Sequence, residues 1–159
     1  MLGGDIRIKW HSETAHGDFS LDDNGADIST DEGLETAVII SLFSDRRADE
    51  EELPPGAASK RGWWGDSLLS RGDRIGSKLW LLNREKFLPE VAARAKGYAE
   101  EALKWMLEDR AAAKVQVEAE LQEPARLALR VRITRPNGRE AEFRYNCNWN
   151  AQEVMNNAI

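Results

Sequence analysis

The feature that most constrains this chain lies in its carboxyl third, where Val115 and Val117, then Leu127, Leu129, Val131 and Ile133, then Phe143 and Tyr145 alternate with polar residues. A period of two puts successive side chains on opposite faces of a strand, so each run reads as a strand with one buried face. Between the last two runs, Arg135-Pro136-Asn137-Gly138-Arg139 joins a proline to an Asn-Gly pair suited to positive φ, which predicts a hairpin. A small sheet with one apolar face needs a cover.

The cover is predicted from two helical stripes. Leu34, Val38 with Ile39, and Leu42 recur at spacings of three and four through Phe43, with Thr30-Asp31-Glu32-Gly33 expected to open that helix. Leu79-Trp80-Leu81-Leu82 restarts the pattern, and Leu88, Val91, Ala95, Tyr98, Ala99, Ala102, Leu103, Met106 and Leu107 continue it, as one long helix or as two broken near Pro89 or Gly97. At the amino end, Asp5-Ile6-Arg7-Ile8-Lys9-Trp10 alternates like a short strand, and Phe19 with Leu21 suggests another. The acidic run and Pro54-Pro55-Gly56 within Ala48–Ser59 read as a surface loop. The expected fold class is α+β: two or three helices packed on a small antiparallel sheet formed mainly by the C-terminal strands. Residues 1–147 are expected to form one domain and 148–159 a C-terminal tail; 159 residues suffice for one core and not for two comfortable ones.

A net charge of −6 argues against a general binder of nucleic acid or of acidic membrane surfaces, since either needs concentrated Lys and Arg. The Met1–His11 segment lacks the basic-then-apolar pattern of a signal peptide, and the apolar runs around Ala37–Phe43 and Leu79–Leu82 fall short of a membrane span, so a soluble chain is expected. Cys147 is the single cysteine, which excludes an intrachain disulfide and a thiolate metal cage.

Catalytic, metal and cofactor signatures are not found. His11 and His16 are five residues apart, a spacing that does not place both rings on one face of a single helix or strand. Ser20, Asp22, Asn24-Gly25 and Asp31 depart from a calcium loop at the first, eighth and last positions, and an Asx-rich turn is the better reading. Glycines 62, 65, 72 and 76 lack the Gly-Lys-Ser/Thr of a phosphate loop, Arg71-Gly72-Asp73 is a tripeptide common by chance, and Cys147 has no histidine nearby in sequence. What is unusual is the tryptophan content: Trp10, Trp63, Trp64, Trp80, Trp105 and Trp149. Trp80 and Trp105 lie on apolar stripes and are expected in the core. Trp63-Trp64 sits in a glycine-rich loop, where adjacent residues point in opposite directions, so one can anchor the loop while the other meets a partner; self-packing and an interface are both open for this segment.

Arg61-Gly62-Trp63-Trp64-Gly65-Asp66, followed by Gly76-Ser77-Lys78-Leu79-Trp80-Leu81-Leu82-x-Arg84-x-Lys86, resembles the signature of the tail baseplate wedge family of Mu-like phages, the phage protein Gp46-like group. An early Asp-Ile strand, a helix ending in Ser41-Leu42-Phe43-Ser44-Asp45-Arg46-Arg47, a Tyr98–Leu107 helix and the Arg135-Pro136-Asn137-Gly138 hairpin follow the same order, so the resemblance covers about Asp5 to Tyr145. It extends remotely to the small baseplate protein, lysozyme-like in name, of larger contractile phages. The resemblance implies a non-enzymatic virion tail subunit, present in host cytoplasm during assembly, whose partners are other baseplate and tail proteins. It also allows a sheet edge to be offered to the first sheath ring. The interface expected on this reading comprises Arg61 and Arg71 for carboxylates, Trp63 or Trp64 as an apolar anchor, and the strand Glu142–Cys147, with Phe143 and Tyr145, or its hairpin partner as an edge open to an added strand. Two rival readings are a small hydrolase using acids and a histidine, and a stand-alone binding module using the tryptophan-rich loop.

Overall fold

The computed structural model describes residues 5–14, 16–20, 30–31, 34–57, 59–68, 74–86 and 88–148. The architecture is α+β, with two α-helices and three antiparallel sheets among the described residues.

The largest sheet is formed by β5 (Lys114–Gln122), β6 (Arg126–Thr134) and β7 (Glu140–Asn148) in the order β5-β6-β7. Its register pairs Val117 with Val131, and Val131 in turn with Phe143, so the alternating apolar residues of all three strands share one face. In the β6–β7 hairpin the Gly138 amide donates to the Arg135 carbonyl over 2.9 Å, and the Arg139 amide to Asn137 Oδ1 over 3.0 Å. Of the Asn-Gly pair only Gly138 takes positive φ, at 80°; Pro136 and Asn137 form the centre of the turn, where proline's fixed φ fits.

Two helices cover the apolar face. In α1 (Leu34–Phe43), Val38, Ile39 and Leu42 are buried; in α2 (Pro89–Glu108), Val91, Ala95, Ala99, Ala102, Leu103 and Met106 are. The alanines keep the α2 surface shallow, so the helix approaches the sheet and α1 closely. Pro89 begins α2, where its missing donor costs nothing, and Gly97 passes through the helix without breaking it. The preceding segment, Leu79–Arg84, is a separate 3-10 helix rather than a turn of the same α-helix. Arg110 ends α2 with φ of 59°, a left-handed position that usually selects glycine.

The amino-terminal strand is shorter than its alternation predicts. It divides into β1 (Asp5–Ile6), paired with β4 (Thr30–Asp31), and β2 (Ile8–His11), paired with β3 (His16–Phe19). The division has a cause in α1: the Thr36 hydroxyl accepts from the Ile8 amide over 3.0 Å and donates to the Ile6 carbonyl over 2.8 Å. Thr30 and Asp31, expected to cap α1, belong to β4 instead. Trp10 stacks on Phe43 at 3.7 Å and Phe43 meets Tyr145 edge-on at 5.3 Å, which joins the small sheets to the main core. Of the candidate calcium loop, Ser20 is described, its amide donating to the Arg7 carbonyl over 3.0 Å, and Asp31 lies in β4; Asp22, Asn24 and Gly25, with Leu21, Arg71 to Asp73, Trp149 and the tail beyond Asn148, lie outside the described residues.

Candidate functional site

The glycine- and tryptophan-rich segment is fastened to the carboxyl end of α1. A helix leaves its last carbonyls without internal partners, and here the motif supplies them. The Ser77 hydroxyl donates to the Leu42 carbonyl, and the Ser77 amide donates to the Ser44 carbonyl over 2.9 Å. In return the Arg46 amide donates to the Ser77 carbonyl over 2.9 Å, which makes a parallel bridge of Asp45 and Ser77. Trp80 Nε1 donates to the Arg46 carbonyl over 2.8 Å. Gly76 is required at this approach: its φ is +96°, and a Cβ there would lie 2.3 Å from the Ser44 carbonyl oxygen.

An acidic 3-10 turn, Glu50–Glu52, grips both ends of the same segment. Glu50 pairs with Lys60 at 3.2 Å, Asp49 with Arg74 at 3.3 Å and Glu52 with Lys78 at 2.7 Å. Lys78, its side chain 11% exposed, also faces Glu101 of α2 at 3.6 Å. The hydrogen bond from Lys78 holds the Glu52 carboxyl below its ordinary pKa, with the Asp49 amide adding to the effect. Burial works against the Lys78 charge, but the Glu52 hydrogen bond and the two carboxylate charges outweigh it, so the Lys78 pKa lies above its ordinary value.

This frame presents an apolar tip. Trp64 is 74% exposed, Leu68 75% and Trp63 44%. Trp63 folds back over Gly65, where any Cβ would lie 2.2 Å from the indole, and its ring tilts against Trp64 with centroids 5.5 Å apart. Neither indole is a buried anchor; the buried attachment runs through Ser77 and Lys78. The Arg61 guanidinium bonds Asp45 at 2.8 Å and lies 4.8 Å over the Trp80 ring, so it is committed within the chain.

The other expected interface residues lie on β7, at an edge of the main sheet, whereas its hairpin partner β6 is central and offers no edge. Phe143 packs against the core and Tyr145 is 4% exposed, so an added strand would engage their main chain and not their rings. The Tyr145 hydroxyl is buried without a hydrogen-bond partner among the described residues; burial, together with the Glu35 charge, pushes its pKa up. Cys147 faces the same side and burial raises its pKa to about 12. Trp105, expected in the core, is 38% exposed, its Nε1 donating to Ser41 Oγ over 3.0 Å at the rim between the helices.

The two histidines meet in a way their spacing concealed. His11 and His16 are cross-strand partners in the β2–β3 hairpin, with rings 5.6 Å apart, because the chain reverses between them. Among the described residues no group of three or more His, Cys, Asp or Glu could hold a metal ion. No described helix is long and apolar enough to cross a membrane.

The segment that carries this frame falls within a wider match to a known family. The profile of the family described as phage protein GP46 matches residues 34–140, from the start of α1 to the start of β7. The chain belongs to the phage protein GP46 family. One relative in the family, the baseplate protein gp46 of Escherichia phage Mu, is 43% identical over 147 residues, covering 92% of this chain and 97% of its own length. Another, the Mu-like prophage FluMu protein gp46 of Haemophilus influenzae, is 37% identical over 145 residues, covering 91% of this chain and 97% of its own.

Proposed function

We propose that this chain is a structural subunit of the tail baseplate of a contractile phage or prophage, built into the virion tail after assembly in host cytoplasm. The observation that carries the reading is the likeness to the Mu baseplate protein, which runs through 92% of this chain. The geometry supports it: rigid attachments, an apolar tip and an unpaired sheet edge suit joining more than they suit catalysis. The role is non-enzymatic and needs no cofactor, and the partners are other baseplate and tail proteins rather than nucleic acid or membrane. Residues 1–147 act as one domain, with 148–159 as a tail.

Two joints are assigned within this reading. Trp63 and Trp64 enter a neighbouring baseplate protein, since exposed tryptophan supplies large contact area at low entropic cost. The β7 edge accepts a strand, from a neighbour or from the first sheath ring, through alternate main-chain groups that point away from β6. The exposed tip also fits a stand-alone module that takes a ligand by itself.

Co-expression with the products of adjacent tail genes, read by light scattering, separates these. A stable complex that a folded Trp63→Ala/Trp64→Ala variant loses supports the first joint; a complex that survives in the variant moves the contact to the β7 edge. Absence of any complex removes the baseplate reading and leaves the module.

A further inference from the structure

Among the described residues, five cations border the tryptophan loop with a carboxylate of this chain already beside them: Lys60 with Glu50, Arg61 with Asp45, Arg74 with Asp49, Lys78 with Glu52, and Arg46 with Glu101 at 3.8 Å. Arg47 differs. It is exposed, and it has no hydrogen-bond or ion-pair partner among the described residues. Its backbone lies against Gly62, where a Cβ would be 2.6 Å from Arg47 Cβ, so its guanidinium stem starts one residue from Trp63.

From this we infer that the tryptophan tip receives an acidic, apolar segment of a neighbouring protein: an aspartate or glutamate of the partner bonds Arg47 while Trp64 and Leu68 enter its apolar surface. The inference rests on the baseplate reading and names the chemistry of the partner at that joint. Charge complementarity selects the sign. The other described cations beside the loop already have carboxylates of the chain, so a basic partner segment would bring its charge against the unpaired Arg47, whereas an acidic one supplies its counter-charge. A planar guanidinium at the rim of an aromatic anchor donates two parallel hydrogen bonds to a carboxylate, which adds orientation to the apolar contact. Arg61 cannot fill this place without leaving Asp45 and Trp80.

The test uses the complex of the full chain with the adjacent tail-gene product that binds it, its dissociation constant measured at low and at raised salt. Arg47→Ala is expected to weaken binding about tenfold at low salt, with a flatter salt dependence, and Arg47→Glu to weaken it further. Arg47→Lys is expected to keep the salt dependence and lose part of the affinity, because the charge remains while the bidentate geometry does not. Arg139→Ala, in the distant hairpin turn, serves as the surface-charge control and is expected to bind like the parent. Parent-like affinity and salt dependence in Arg47→Ala, while Trp64→Ala abolishes binding, would overturn the acidic-partner inference and leave the baseplate reading standing. If the parent chain binds no adjacent tail-gene product, both fall together.

Discussion

Gly76→Ala should be among the most damaging single-methyl additions to this chain, and the reason can be separated into two parts. The first is conformational: alanine at φ of +96° sits in a region that costs about 1–2 kcal/mol for a residue with a Cβ. The second is steric, since the new methyl would lie 2.3 Å from the Ser44 carbonyl oxygen, a backbone atom with nowhere to rotate. Relief requires the end of α1 to move, at the expense of the bonds between Ser77 and Ser44 and between Arg46 and Ser77, each worth about 0.5–1.5 kcal/mol. The sum is about 2–5 kcal/mol. Gly56→Ala supplies the comparison: its φ is +79° and no atom lies within 4 Å of the added Cβ, so it carries the conformational part alone, about 1–2 kcal/mol. Urea unfolding of parent and both variants reads the two values, and the difference between them is the cost of the approach to α1. Equal losses in the two glycine variants would refute the claim that the motif is seated on the helix end.

Glu52→Gln should destabilise the chain by about 1–2 kcal/mol at neutral pH, because it leaves the largely buried Lys78 with only the more distant Glu101. The Glu52 carboxyl is held below its ordinary pKa, so its contribution is complete above the unfolded value and disappears as pH falls through the folded one; the raised Lys78 pKa gives stability that is lost only as pH rises past the ordinary lysine range. Parent and variant unfolding curves should therefore converge in acid, and a gap that persists at low pH would argue against the ion pair. Arg110→Gly should stabilise by about 0.5–1 kcal/mol, measured by thermal or urea unfolding, since glycine occupies the left-handed end of α2 without strain. Tyr145→Phe should be neutral or stabilising by up to about 1 kcal/mol, because it removes a buried hydroxyl that no group among the described residues satisfies; a loss above that size would mean the hydroxyl has a partner in solution.

The main sheet is legible in the sequence because its determinant is local: a period of two, repeated in three runs, leaves one consistent register once Gly138 closes the hairpin. The α2 stripe is legible for the same reason, although the 3-10 helix at Leu79–Arg84 carries apolar residues that read equally as the start of an α-helix. The split at Arg7 is not legible, since its cause is the Thr36 hydroxyl, a partner 28 and 30 residues away from the groups it bridges. At the candidate site the odd glycines and tryptophans stand out at once, but their roles depend on distant chain. The acidic run reads as a solvated loop until it is seen that Glu50, Asp49 and Glu52 reach across 10, 25 and 26 residues to their cations. Nor does the spacing of Trp63 and Trp64 say that Trp63 folds over Gly65 and leaves both indoles partly exposed. A signal for the seat existed all the same, in Ser77: a small hydroxyl residue set between glycine and a lone lysine just before an apolar run.

On the baseplate reading, the attachment of the tryptophan loop has a mechanical meaning. The motif meets the core at Ser77, whose hydroxyl bonds Leu42 in α1 and whose amide and carbonyl bond Ser44 and Arg46 just beyond it, and at Lys78, which joins the acidic turn to α2. Bonds clustered at one residue share a load and yield together, unlike a strand edge peeled one bond at a time. The segment behind the tip is thus tied to both helices, to α1 through Ser77 and to α2 through Lys78 and Glu101, as a strut is tied at two points.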